Sequence, residues 1–159
     1  MEWVGPSRMK TAKIMFRSIL QSVGVVLLGL VIAFAMVIGI EWFCNVYHPF
    51  PPDVDPTDFA VCAAHVARFP DWILAVSSVG WTLTVVASSW TATRLGTERH
   101  PAHGLGLGGF LLGLAVFNMV ILPYPIGFKV GTFISLSLGA YLGAKWARGC
   151  KTMESCSPG

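Results

Sequence analysis

Apolar and polar positions along this chain fall into long blocks rather than into the periods of a soluble fold. Residues 19–40 hold Gln21 and Ser22 as their only polar side chains, and 72–93 carry no charge. Residues 105–122 are apolar apart from Asn118, and 126–146 carry only Lys129 and Lys145 as charges. At ~1.5 Å per residue the first block reaches about 33 Å, enough to cross a hydrocarbon core of roughly 30 Å. The pattern predicts transmembrane helices over about 19–43, 72–93, 105–122 and 126–146, arranged as two hairpins.

Between the first two blocks, residues 41–72 hold five of the eight acidic residues and two of the four histidines. His48-Pro49-Phe50-Pro51-Pro52 reads as extended chain, because proline removes an N–H donor and biases its predecessor away from helix. A short loop helix is expected over about 56–68, with Asp55 as N-cap and Pro56 at the first helical position. The fold class expected is therefore all-α. It is a polytopic membrane protein with four transmembrane helices and a short extracytoplasmic loop helix.

Composition agrees: 54% of residues are hydrophobic and only 12% charged, about half the charged share of an ordinary soluble domain, with a mean hydropathy of +0.65. The basic residues fall beside the apolar blocks, where they act as topology signals, so nucleic acid is not an expected partner and membrane lipid is. With the N-terminus inside, nine Lys and Arg lie on the cytoplasmic side and two, Arg68 and Lys129, on the other. That bias puts residues 1–18 and the tail 147–159 in the cytoplasm of a bacterial inner-membrane protein. Residues 41–72 then face outward. Met1 and Met9 are both candidate starts.

Three readings compete for the outer Cys and His residues. Cys44 and Cys62 lie in an oxidising compartment and can form a disulfide. Cys44, His48, Cys62 and His65 also supply a ligand set for a tetrahedral zinc site, and the same thiols can remain unpaired and half-buried. Zinc is the one cofactor the sequence raises. Glu41, Asn118 and Lys129 reach a common level near the outer boundary, where polar groups are costly unless paired. They define a candidate outer pocket.

Gly127, Gly131, Ser135, Gly139 and Gly143 recur every four residues and read as a helix-packing stripe, used within the bundle or across a homo-oligomer. Ser78, Thr82, Ser89 and Thr93 form a hydroxyl stripe on the second span; close packing with back-bonded hydroxyls is set against a hydrated path. No serine–histidine–acid arrangement, nucleotide motif or catalytic metal motif is present, so no catalytic residue is expected.

The combination HPFPPD, HVARFPDWILAV, WTATRLG and LPYPIGFKV resembles uncharacterised four-helix inner-membrane proteins of bacteria, over roughly residues 10–146. The resemblance implies the layout above and no assigned activity. The leading expectation is a non-catalytic accessory or assembly component that meets a protein partner through its outer loop. A small-solute transporter or channel is the alternative, and a membrane enzyme with an extracytoplasmic metal site comes third.

Overall fold

The computed structural model of the chain describes residues 6–97 and 100–149, with side chains from residue 15 onward. Met1, the side chains of Arg8, Met9, Lys10 and Lys13, Arg99, and the tail with Cys150 and Cys156 lie outside that description. Five helices and no strand are present among the described residues: α1 (Pro6–Tyr47), α2 (Phe59–Val66), α3 (Asp71–Leu95), α4 (Pro101–Ile121) and α5 (Ile126–Gly149). All but α2 are long and apolar enough to cross a membrane. The chain is an integral membrane protein.

Each long helix extends beyond the apolar block that announced it. Nothing in residues 6–18 breaks a helix after Pro6, so α1 runs through the basic segment and reaches 42 residues. α4 begins at Pro101 rather than near Leu105. Proline fits the first helical position, and His100 caps the helix by accepting the Ala102 N–H on Nδ1 at 3.2 Å. α2 is shorter than expected and its N-cap is Asp58, whose Oδ1 accepts the Ala60 N–H at 2.8 Å. Asp55 instead closes a local turn onto the N–H and hydroxyl of Thr57, at 2.9 and 2.7 Å. Those bonds hold the Asp55 carboxyl below its usual range.

Helix α3 is central, packing against α1, α4 and α5. Its hydroxyl stripe makes contacts with α4 and α5. Thr82 Oγ1 lies 2.8 Å from the Ser78 carbonyl and 3.0 Å from Ser135 Oγ, and the Thr132 hydroxyl donates to Ser78 Oγ at 2.9 Å. Farther along, Ser89 and Thr93 sit against α4, where a Cβ on Gly104 would collide with Thr93 Oγ1 and one on Gly108 would lie 2.7 Å from Ser89 Oγ. Ser89 Oγ and Thr93 Oγ1 are buried there without a hydrogen-bond partner among the described residues, so this end of the stripe is in helix contact but not back-bonded. Val85, Leu136 and Ala140 form the apolar core beside it.

The glycine stripe of α5 divides in two. A Cβ at Gly143 would lie 2.6 Å from the Val86 carbonyl oxygen, and one at Gly139 3.3 Å from that of Thr82, whereas Gly127 and Gly131 have nothing within 4 Å. Gly127 and Gly131 border an open groove between α3 and α5, lined on the α3 side by Asp71, Leu74, Ala75 and Ser78, so the two helices part at this end.

Candidate functional site

Helices α1 and α4 meet at one end of the bundle and part toward the other. Near the turn between α3 and α4, His103 Nδ1–H donates to the His100 carbonyl at 3.3 Å, which leaves Nε2 to accept from the Ser22 hydroxyl at 3.0 Å. Ser22 Oγ and Thr97 Oγ1 are 3.3 Å apart, and Gln21 donates to the Leu95 carbonyl at 3.2 Å. A Cβ on Gly29 would run into Leu107. Sequence reasoning missed this polar clasp, whose signal was Ser22 and His103 lying at the same membrane boundary.

Toward α2 the two helices are separated by a recess of about 360 Å³, walled by Ala33 and Val37 of α1, Leu111 and Ala115 of α4, and floored by Val85 and Leu136. Phe34, Phe110 and Leu114 line it and are exposed, so its mouth faces the hydrocarbon. Above it, a second chamber of about 690 Å³ lies beneath α2, bounded by Cys44, His48, Cys62 and His65. Val37, Glu41, Trp81 and Asn118 line both. One cavity system therefore passes from an apolar recess into a polar chamber at the level of Glu41.

The junction has its own chemistry. Asn118 Oδ1 is buried and has no hydrogen-bond partner among the described residues. Trp81, Tyr124 and Phe128 form an aromatic group there, with centroids 6.4 Å apart for Trp81–Tyr124, 5.9 Å for Trp81–Phe128 and 4.8 Å for Tyr124–Phe128. All three face the upper chamber. Burial, and after it the Glu41 carboxylate, pushes the Tyr124 hydroxyl well above the usual phenol range, so it stays an O–H donor. This group was not foreseen from the sequence, although Tyr124 and Phe128 are four residues apart across the start of α5.

Of the three residues expected at the outer pocket, Glu41 and Asn118 come together and Lys129 does not. Lys129 lines neither chamber, although its neighbour Phe128 lines the upper one.

Cys44 and Cys62 are both free. They border the same chamber, Cys62 half-buried and Cys44 buried with Sγ 3.3 Å from Ser77 Oγ. Among the described residues no three His, Cys, Asp or Glu side chains are grouped to share an ion. The histidines pack as rings instead. His65 stacks on Phe50 at 3.9 Å and on His48 at 4.5 Å, with Phe69 edge-on at 5.3 Å. A carbonyl only accepts, so His65 Nε2–H donates to the His48 carbonyl at 3.1 Å. Burial and the neighbouring His48 lower the His65 pKa.

No protein-family model, no curated protein and no solved structure matches the chain.

Proposed function

We propose that this chain is a non-catalytic membrane component that binds a small amphipathic solute between α1 and α4. The observation that carries the reading is the sharing of Glu41, Asn118, Trp81 and Val37 by an apolar recess and a polar chamber. Both volumes fall in the ~300–1,000 Å³ range of small-molecule sites, which combine apolar walls with a few placed polar groups. A solute with an apolar body and a polar head matches that division.

Binding is favoured over free passage because the cleft closes toward the α3–α4 turn, where Gly29 abuts Leu107 and Ser22 meets His103. The hydroxyls of α3 that a channel would use are engaged with α5 or pressed against α4 glycines. In this reading α1 with α3 and α4 with α5 cross the bacterial inner membrane as two hairpins. The bias of nine basic residues against two supports an outward-facing chamber covered by α2, with both termini in the cytoplasm.

Photolabelling of the protein in liposomes with an alkyl-diazirine amphiphile, followed by peptide mapping, tests this reading. Saturable label is expected on recess residues such as Val37 and Ala115. Equal, unsaturable label on outward residues such as Val23 and Val120 overturns it.

A further inference from the structure

The polar groups at the junction specify the head of the solute. We propose, building on the binding reading above, that the ligand is a primary ammonium carried on an apolar chain, with its nitrogen held between Glu41, Asn118 and the Trp81–Tyr124–Phe128 rings.

Three observations converge on this class. Glu41 is the one carboxyl lining the two chambers, and among the described residues no Lys or Arg lines either. A carboxyl beside an apolar recess either keeps its proton or takes a cation as partner, and no ion pair to Glu41 is present among the described residues. The ligand supplies the cation. Second, Asn118 Oδ1 is a buried acceptor without a donor. An ammonium with N–H bonds satisfies it, whereas a quaternary ammonium, an ether or an anion does not. Third, Trp81, Tyr124 and Phe128 line the same chamber as Glu41 and Asn118, and a desolvated cation near an aromatic face gains attraction from the ring quadrupole.

The recess sets the rest of the molecule. At about 360 Å³, with Phe34, Phe110 and Leu114 at a mouth that faces the bilayer, it takes one apolar chain entering sideways from the lipid. The same chemistry, an ammonium above a chain, is offered by a free lipophilic amine and by an aminophospholipid headgroup.

The test uses the full chain in phosphatidylcholine nanodiscs, titrated calorimetrically with dodecylamine, dodecyltrimethylammonium, dodecanol and dodecanoate, with empty discs subtracted. Dodecylamine is expected to bind saturably, about tenfold or more tighter than dodecanol, with dodecanoate weakest and the quaternary amine between. Glu41→Gln should erase the preference for amine over alcohol. Asn118→Leu should close the gap between primary and quaternary amines, with thermal unfolding of each variant confirming an intact fold. The wild-type ranking needs no variant and stands if either one misfolds. Equal binding of amine, alcohol and carboxylate overturns this inference and leaves amphiphile binding standing; saturable binding by none of the four overturns both. Phosphatidylethanolamine in the discs separates the two sources: competition with dodecylamine assigns the headgroup, and its absence assigns the free amine.

Discussion

The ring of His65 lies stacked on that of His48 at 4.5 Å while its Nε2–H donates to the His48 carbonyl at 3.1 Å. This pairing ties α2 to the end of α1 and forms part of the roof of the upper chamber. It also makes the roof sensitive to protons. Burial and the adjacent His48 lower the His65 pKa, so the unfolded chain binds the proton more readily than the folded one. The stability contributed by neutral His65 is complete above the ordinary histidine value of ~6.5 and is lost as pH falls through the lowered folded value. Amides of α2 should therefore show less hydrogen-exchange protection in mildly acid than in neutral buffer, after correction for intrinsic rates. Replacing His65 by Phe, which keeps the stack, should remove the difference, and equal protection of the wild type at both pH values would count against the pairing.

Glycine positions separate contact from mere periodicity. Gly143→Ala puts a methyl group 2.6 Å from the Val86 carbonyl oxygen, and overpacking of that kind costs roughly 1–3 kcal/mol. Gly131→Ala meets nothing within 4 Å and gains helix propensity of up to about 1 kcal/mol. Melting in detergent should fall for the first and hold or rise for the second. The opposite order would mean that α5 presents its other face to α3.

Much of this architecture was legible in the sequence and some of it was not, for identifiable reasons. Length and hydropathy announce a span, so α1, α3, α4 and α5 follow directly from their apolar blocks. Angular position is harder. Lys129 lines neither chamber although its neighbour Phe128 does, and Gly127 and Gly131 border an open groove beside α3 where Gly139 and Gly143 touch it. Asp55 and Asp58 both carry capping chemistry, and Thr57 decides between them by engaging Asp55. The aromatic group at Trp81 assembles from α3, the α4–α5 turn and the start of α5, and no local pattern couples α3 to the other two.

Orientation rests on charge alone and is open to direct test. A single added cysteine at Asp53 should react with an impermeant maleimide on intact cells, while one at Thr97 should react only after the membrane is permeabilised. Labelling of Thr97 alone on intact cells would reverse the assignment and turn the upper chamber toward the cytoplasm.

Occupancy of the recess between α1 and α4 by a solute is the feature on which the proposed function stands. Ala115 lines that recess beside Val85 and Leu136, so Ala115→Phe fills the space from a position outside the polar junction. The decisive measurement is the saturation curve of a single-chain diazirine amphiphile on the wild type and on this variant, with melting temperature recorded for both. A saturable curve is expected for the wild type, with a loss of about tenfold or more in affinity for Ala115→Phe at unchanged melting temperature. Identical curves for the two proteins would contradict it.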